Sequence, residues 1–279
     1  MIHIISPMKN YFLVVIILAL LSCNSKKNTT KEVAAPAATV SRDTVQVTAT
    51  ADAATILARR QVPVLCYHHI NNGKPGDYVV PPALFAQQMQ VLADSGYHTI
   101  LPDQLYNYLA TGAVIPERSF LITFDDTDEE QFTVGAAEMA KHQFKGVFFI
   151  MNISIGKPRY MSKEQIKQLA DDGNVIGAHT WDHHRVTEYT TADWDKQLNE
   201  AKLKLETITG KPVAYFAYPF GLWNKPAIPE LNQRGIKMAF QLSAKPDSTQ
   251  PLYTVRRMLV PGTWTTDGLL KAMKRTFHW

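Results

Sequence analysis

The chain has 279 residues, 46% of them hydrophobic, and a formal net charge of +4 at pH 7. This length suits one large core, and an α/β barrel commonly fills it as a single domain. The sequence has no basic stripe with interleaved aromatic residues, which argues against a nucleic acid partner. Cys23 and Cys66 are the only cysteines, so we expect the fold to depend on its core rather than on disulfides.

The N-terminal segment has the pattern of an export signal. Lys9 precedes an apolar run, Tyr11 to Leu21, that is too short to span a membrane comfortably. The run ends in "LLSC", which resembles the bacterial lipobox, in which the cysteine becomes the lipidated first residue. We therefore predict a lipoprotein signal peptide at 1–22 and an exported bacterial lipoprotein, anchored to a membrane through Cys23 and facing the periplasm or the cell exterior. An uncleaved anchor with an incidental cysteine is the alternative.

The next segment, 23–60, is rich in Ala, Thr, Val, Lys and Ser and has no sustained helical or strand period. We predict a tether there, with a reach of ~30–35 Å if it is flexible. From 61 to 279, short β-branched or aromatic runs alternate with segments of helical period, which is the pattern of βα units and a parallel sheet. We therefore predict one α/β domain over 61–279.

Eight short runs are the predicted strands, and seven or eight strands can close a barrel. The runs are 62–68, 98–102, 120–124, 146–151, 174–178, 213–218, 237–242 and 253–260. Apolar stripes between them predict helices, one ending at Gly96 and a longer one ending at Gly210. Ser162 and Gln165 have the spacing of a helix capping box. These stripes are assigned to the core.

Two adjacent carboxylates, Asp125 and Asp126, directly follow the predicted strand 120–124. Like charges this close repel one another, and burial would push one toward protonation unless a cation lay among them. The C-terminal ends of parallel strands are also where α/β folds place their chemistry. The acid pair therefore predicts a cation site at this edge of the sheet.

Two histidines, His179 and His183, follow the predicted strand 174–178 in the sequence "GAHTWDHH". This spacing puts two imidazoles on one side of a helical turn or short loop, and one carboxylate completes a set of three metal ligands with an open position. Together with the acid pair, the histidines predict a divalent metal site. His184 is an alternative second histidine ligand, and the ligand set suits zinc and also cobalt, nickel or manganese.

A third strand-end segment is "YFAYPFGLWN", residues 215–224. Its proline and glycine make a rigid turn after a strand. The aromatic residues around the turn, Tyr218, Phe220 and Trp223, are candidates to line a groove that binds a sugar ring. The alternative is that they are core residues packed around the turn.

Three motifs in order carry a resemblance to a known family. "TFDD" (123–126) matches the first motif of the polysaccharide deacetylases, "HTWDH" (179–183) matches the second, and "FAYPFG" (216–221) is a variant of the third. Residues 61–279 thus resemble the NodB-homology domain of carbohydrate esterase family 4. The resemblance implies a distorted (β/α) barrel of about seven strands.

The resemblance also implies roles for the motif residues. By similarity, Asp125 is the catalytic base, while Asp126, His179 and His183 hold the metal, with zinc as the expected ion. The family usually has Gly where this chain has Thr127, at a turn whose geometry is easiest for Gly, so we expect that loop to differ.

Two further departures concern the partners of the base. The third motif commonly begins with Arg, but this chain has Phe216, so the charged partner must come from elsewhere. The sequence "YTVRRMLV" offers Arg256 and Arg257, and a resemblance to the Arg-apolar-x-Val strand of related chains favours Arg257. The usual Leu-x-x-His of the catalytic acid is missing, because the only late histidine is His278.

The start of the domain offers a replacement for the acid. "VLCYHHI" (64–70) resembles the opening strand of circularly permuted deacetylases that act on poly-N-acetylglucosamine. The first and last strands of a closed barrel are neighbours, so His68 can supply the acid from the front of the chain. His69 is the alternative, because adjacent strand residues point to opposite faces.

These assignments predict a metal-dependent hydrolase that removes N-acetyl groups from an N-acetylglucosamine-containing polysaccharide. The alternatives are an O-acetyl carbohydrate esterase and a non-catalytic glycan-binding lipoprotein, although the intact base Asp125 argues against the latter. Poly-N-acetylglucosamine, peptidoglycan and chitin fragments are all open as substrates. The identity of the metal, the inner or outer membrane and the oligomeric state are open as well.

Overall fold

Seven parallel strands form the centre of the computed structural model, which describes residues 50–278. The sheet curls into a distorted (β/α) barrel, as predicted. The eight strands of the chain are β1 (Val64–Tyr67), β2 (His98–Thr99), β3 (Ser119–Phe124), β4 (Val147–Ile150), β5 (Val175–Ala178), β6 (Tyr215–Ala217), β7 (Met238–Phe240) and β8 (Met258–Leu259). Each coincides with a predicted strand.

The order along the sheet is β7, β6, β5, β4, β3, β1 and β8, and β2 pairs only with the start of β3. Strand β1 lies between β3 and β8, with Leu65 opposite both Ile122 and Met258. At the far edge, a parallel bridge joins Phe240 of β7 to Val255, just before β8. The first and last barrel strands are therefore neighbours, as predicted from closure.

Helices cover the outside of the sheet. They are α1 (Ala53–Ala58), α2 (Pro82–Asp94), α3 (Pro102–Thr111), α4 (Ala137–Lys141), α5 (Lys163–Asp171), α6 (Ala201–Thr209), α7 (Ala227–Gln233) and α8 (Thr266–Phe277). Two π-helical turns, Gln131–Ala136 and Asp195–Glu200, lead directly into α4 and α6. Between residues 50 and 278, none of the helices is both long and apolar enough to cross a membrane.

The local sequence signals explain where these elements begin and end. Strands β1, β3 and β4 are buried along their whole length, as expected for a parallel sheet covered by helices. Helix α6 ends at Gly210 in the left-handed conformation (φ 68°). The capping box before α5 is present, because Ser162 Oγ accepts a hydrogen bond from Gln165 N at 3.2 Å and Gln165 Oε1 accepts one from Ser162 N at 2.8 Å.

The domain begins earlier than residue 61, so the predicted boundary of the tether needs correction. Asp52 caps α1 by accepting a hydrogen bond from Thr55 N, and Ile56 is buried in the core. Ala51 N donates to Ala110 O at 2.7 Å, which fixes the chain to the end of α3. A single buried apolar residue and one capping side chain form no periodic pattern, so this helix could not be predicted from the sequence. The predicted signal peptide, Cys23 and the tether up to residue 49 lie outside the described residues.

Candidate active site

A cavity of about 330 Å³ opens at the C-terminal edge of the sheet, where the sequence motifs meet. It is lined by residues that follow β1, β3, β5, β6 and β7: His68, His69, Tyr78, Asp125, Asp126, His179, His183, Phe220, Gly221 and Leu242. All three predicted strand-end motifs therefore contribute to one pocket.

The acid pair occupies the bend at the end of β3. Asp125 continues the strand, because its N–H donates to Tyr67 O at 3.2 Å, and it is buried. Asp126 and Thr127 then adopt left-handed backbone conformations, with φ 78° and 74°. Thr127 thus keeps the backbone geometry that favours Gly, and its Oγ1 accepts a hydrogen bond from Met151 N at 2.8 Å. The change from Gly to Thr adds a hydrogen bond that holds the loop to the end of β4.

Arg257 is the charged partner of Asp125. Its Nη1 and Nη2 donate to the two carboxylate oxygens, each at 2.7 Å, and both side chains are buried. Burial alone would raise the pKa of the Asp125 carboxyl, but Arg257, followed by His179, outweighs it and holds the pKa below its usual range. Arg256 instead donates to Thr276 O at 3.1 Å, away from the pocket. Phe216, which replaces the usual Arg, is a buried core residue.

Three ligand atoms converge beside this pair. Asp126 Oδ1 lies 3.4 Å from His179 Nε2 and 3.3 Å from His183 Nε2. Asp126 Oδ1 is buried and has no hydrogen-bond partner, which is costly for a carboxylate unless a cation occupies the space it faces. His179 Nδ1 lies 2.8 Å from Ala217 O, and donation to that carbonyl leaves the Nε2 lone pair free to bind a metal. The residues present fit a divalent metal.

The loop between the two histidines explains why His183, and not His184, points at Asp126. Thr180 and His183 both have left-handed backbone conformations (φ 66° and 67°), and His183 N donates to Thr180 Oγ1 at 2.9 Å. This tight turn brings His183 back over His179. His184 faces outward, with Nε2 3.6 Å from Glu188 Oε2.

The two adjacent histidines after β1 diverge. His68 Nε2 lies 4.0 Å from Asp125 Oδ2, and its side chain is only 11% exposed. Burial lowers the pKa of His68 in spite of the nearby carboxylates. His69 Nδ1 instead lies 3.0 Å from Asp128 Oδ2, at the rim of the pocket. Of the two candidates for the acid, His68 is the one that faces the base.

Only one of the three predicted sugar-binding aromatic residues lines the pocket. Phe220 is 51% exposed, and its ring packs edge-on against His183. Tyr218 belongs to the core, because it is fully buried and its hydroxyl donates to Tyr253 O at 3.0 Å. Trp223 does not line the pocket, and its Nε1 donates to Gln241 Oε1 at 2.9 Å. Phe220 lies in the tight turn after β6 with a left-handed backbone conformation (φ 59°), and it is the one exposed ring of the three.

Sequence reasoning missed two residues of this site. Tyr78 lines the pocket from the glycine-containing loop that follows β1, and an isolated aromatic residue in that loop was the available signal. Gln131 is fully buried, and its Nε2 donates to the backbone carbonyls of both His68 (3.0 Å) and Asp125. It thus joins the end of β1 to the end of β3. Its signal was an uncharged polar residue directly after an acidic run.

Comparisons with known proteins agree with the motifs and the barrel. Residues 113–239 match the family model described as polysaccharide deacetylase. YxkH of Bacillus subtilis is 27% identical over 206 residues, which is 72% of each chain. Poly-beta-1,6-N-acetyl-D-glucosamine N-deacetylase of Staphylococcus aureus is 25% identical over 66% of this chain and 68% of its own length. The structure of IcaB from Ammonifex degensii superposes with a TM-score of 0.68 at 26% identity, over 78% of this chain and 97% of IcaB. The chain is therefore similar to polysaccharide deacetylases both in sequence and in the fold of its barrel.

Proposed function

We propose that the protein is a metal-dependent hydrolase that removes N-acetyl groups from an N-acetylglucosamine-containing polysaccharide. One observation carries the proposal: the buried carboxylate of Asp125, bound on both oxygens by Arg257, lies beside the converging ligands Asp126, His179 and His183. The name of the Staphylococcus aureus relative supports poly-N-acetylglucosamine as the first substrate to test.

Asp125 is the general base of this proposal. Arg257 keeps the carboxylate ionised and fixes its orientation through two hydrogen bonds. Asp125 Oδ2 also lies 3.9 Å from His179 Nε2, so this oxygen faces the ligand cluster. From there it is placed to accept a proton from a water molecule that attacks the acetyl carbon.

His68 is the general acid. Its Nε2 lies 4.0 Å from Asp125 Oδ2, on the side of the pocket where β1 ends. An amine leaves a tetrahedral intermediate poorly unless it is protonated, whereas the alkoxide of an ester needs less help. An imidazolium at this position can donate the proton that the departing sugar amine requires. A buried acid facing the base therefore favours the amide over the ester as substrate.

Asp126, His179 and His183 would hold the metal, and zinc is the expected ion because two imidazoles and a carboxylate are a common zinc ligand set. When bound, a divalent ion supplies Lewis-acid chemistry, polarising a carbonyl oxygen and lowering the pKa of water. The chain itself positions the ligands, since Ala217 O orients His179 and the Thr180 turn orients His183.

Acetate release from a panel of glycans tests the proposal. We expect release from at least one of poly-β-1,6-N-acetylglucosamine, peptidoglycan and chitin oligomers, with loss of activity in chelator and recovery on adding zinc. Asp125→Asn is the inactive control. Release from O-acetylated glycans alone would indicate an esterase, and binding of a glycan by the zinc-loaded protein without any release would indicate a glycan-binding protein.

We further propose that the protein is an exported lipoprotein anchored through Cys23, on the strength of the "LLSC" sequence. In a bacterium that processes lipoproteins, the full chain should incorporate labelled fatty acid. Cys23→Ser should not incorporate it, and normal labelling of that variant would remove this proposal.

A further inference from the structure

Three further acids follow the acid pair, and two of them turn toward a histidine that the proposed function leaves unused. The three are Asp128, Glu129 and Glu130. Asp128 Oδ2 lies 3.0 Å from His69 Nδ1, and Glu130 Oε1 lies 3.9 Å from the same nitrogen. Glu129 instead accepts a hydrogen bond from Gln165 Nε2 at 3.1 Å. One imidazole and two carboxylates therefore converge at the rim of the pocket.

The Asp128 side chain has the same unsatisfied oxygen as the metal cluster of the proposed function. Asp128 is only 7% exposed, and its buried Oδ2 has no hydrogen-bond partner, although His69 Nδ1 lies 3.0 Å away. Within residues 50–278, the only other carboxylate oxygen in this state is Asp126 Oδ1, which faces two imidazoles. A buried carboxylate oxygen that faces ring nitrogens in this way is costly unless a cation lies between them.

Charge balance favours a divalent ion at this position. His69 is the ion-pair partner of both Asp128 and Glu130. Two carboxylates beside a neutral imidazole carry two negative charges, which a divalent ion cancels and a proton on the imidazole only halves. One imidazole nitrogen and two carboxylate oxygens are also ligands that zinc accepts in proteins. The three side chains thus match a zinc ion in both charge and ligand chemistry.

The fold holds the three ligands in place. The backbone of His69 forms a bridge to the segment before α2, and the backbone of Asp128 forms one to the segment before α5. Asn71 Nδ2 donates to Glu130 Oε1 at 2.8 Å, as outer partners of metal-binding carboxylates commonly do. The ligand atoms therefore depend on backbone pairing and on one orienting amide, and not on chance meetings of exposed side chains.

This cluster is separate from the metal cluster of the proposed function. The two share no residue, although Asp126 belongs to one and Asp128 to the other. Asp126 and Thr127 both have left-handed backbone conformations, so the chain changes direction between the two ligands. His69 follows β1, whereas the two acids follow β3, and an ion between them would link these two strand ends.

We propose that His69, Asp128 and Glu130 form a second divalent metal site, the rim site, which takes a zinc ion through His69 Nδ1, Asp128 Oδ2 and Glu130 Oε1. The ion links the segment after β1 to the segment after β3 and stabilises the wall of the pocket that carries His68. The rim site does not depend on the proposed function, because neither the base nor a ligand of the first cluster contributes to it.

The zinc stoichiometry of the full-length protein tests the rim site. After its metal has been stripped, competition with a chromophoric chelator measures the zinc that it binds. We expect wild type to bind two zinc ions. Asp128→Asn and Glu130→Gln should each bind one, because each removes a charged ligand at nearly constant size and should weaken the rim site about 10- to 100-fold or more.

His184→Ala is the matched control for these variants. The His184 side chain is 39% exposed, close to the 36% of His69, and its Nε2 lies 3.6 Å from Glu188 Oε2. No third ligand joins that pair within residues 50–278. His184→Ala should therefore still bind two zinc ions.

The Asp126→Ala background isolates the rim site from the first cluster. We expect Asp126→Ala to bind one zinc ion and Asp126→Ala/Asp128→Asn to bind none. In the single variant, zinc at about 100 times its dissociation constant should raise the Tm by about 5 °C, with no such rise in the double variant. If wild type and Asp126→Ala both bind a single ion that the double variant loses, the metal cluster of the proposed function is contradicted and the rim site is supported.

Three outcomes would overturn the rim site. The first is a single zinc ion in wild type that Asp126→Ala loses. The second is two zinc ions in both Asp128→Asn and Glu130→Gln, which would place the second ion elsewhere. The third is loss of the second ion from His184→Ala as well, which would assign it to non-specific binding by exposed histidines.

Discussion

The ends of β1 and β5 each carry a pair of histidines, but the two pairs are built in opposite ways. After β5, His179 and His183 are four residues apart and converge on one oxygen of Asp126, at 3.4 and 3.3 Å. After β1, His68 and His69 are adjacent and diverge, one toward Asp125 and the other toward Asp128.

The backbone explains the difference. Adjacent residues of an extended segment point to opposite sides, so His68 and His69 cannot share one target. The left-handed residues Thr180 and His183 reverse the chain after β5 and bring two imidazoles to the same side. A convergent pair suits metal binding. In the divergent pair, one histidine faces the base and the other lies at the rim of the pocket.

The largest expected effect comes from breaking the convergent cluster. His179→Ala or Asp126→Ala removes one of three ligands, so we expect metal affinity to fall by more than about 100-fold and turnover to disappear. Asp125→Asn should lose turnover but keep its metal, because it changes the base and not a ligand. Metal analysis of the purified variants measures this, and loss of metal from Asp125→Asn with retention in Asp126→Ala would mean that the two roles are reversed.

Removing the side chain of His68, the member of the divergent pair that faces Asp125, should have the next largest effect. His68→Ala should cut amide hydrolysis by ~10²–10⁴-fold, the usual contribution of a positioned general acid, with metal content unchanged. Hydrolysis of an activated acetyl ester should fall much less, because its leaving group needs no proton. If His69→Ala shows this pattern and His68→Ala does not, the acid is His69, and if both stay active, neither residue is the acid.

The position of His68 relative to Asp125 can be changed without substituting either of these two residues. Gln131 donates to the carbonyls of His68 and Asp125, so Gln131→Met should shift the acid relative to the base and lower amide turnover about 10- to 100-fold. Gln88→Met is the matched control, since Gln88 is equally buried and accepts a hydrogen bond from Tyr67 OH at 3.0 Å, away from the pocket. The ratio of amide to ester hydrolysis is the readout, and an equal fall of this ratio in both variants would indicate a merely structural role for Gln131.

Removing the side chain of His69, the member of the divergent pair that faces Asp128, should have the smallest effect, and mainly on the stability of the fold. The carboxylate of Asp128, whose Oδ2 lies 3.0 Å from His69 Nδ1, raises the pKa of His69. The charged pair therefore stabilises the fold below the unfolded pKa of histidine and stops doing so as pH rises through the folded pKa. His69→Ala should therefore lower the free energy of unfolding by less than about 1 kcal/mol near pH 6, because the pair is partly exposed, and by less still at pH 9. Chemical denaturation at the two pH values measures this. A larger loss at pH 9 would contradict the assigned pair.

The sequence by itself determined the strands, their parallel arrangement and the strand ends at which chemistry gathers. These follow from short-range patterns that act over a few residues, namely apolar runs, the capping box at Ser162 and the glycine after α6. The motif spacing also placed the acid pair and the histidines together, because strand ends in a parallel sheet meet at one edge, whereas the choice of Asp126, His179 and His183 as the ligands came from the resemblance of the motifs to a known family.

Only the tertiary structure decided between neighbours in the sequence. Arg257 rather than Arg256, and His68 rather than His69, face Asp125, because the closure of β8 onto β1 sets which side of each strand turns inward. The first residues of the domain, the burial of Tyr218 and the outward ring of Tyr78 likewise depend on packing between segments far apart in the chain. At these positions the closed barrel decides which side chain is buried or exposed, and no local period of the sequence encodes it.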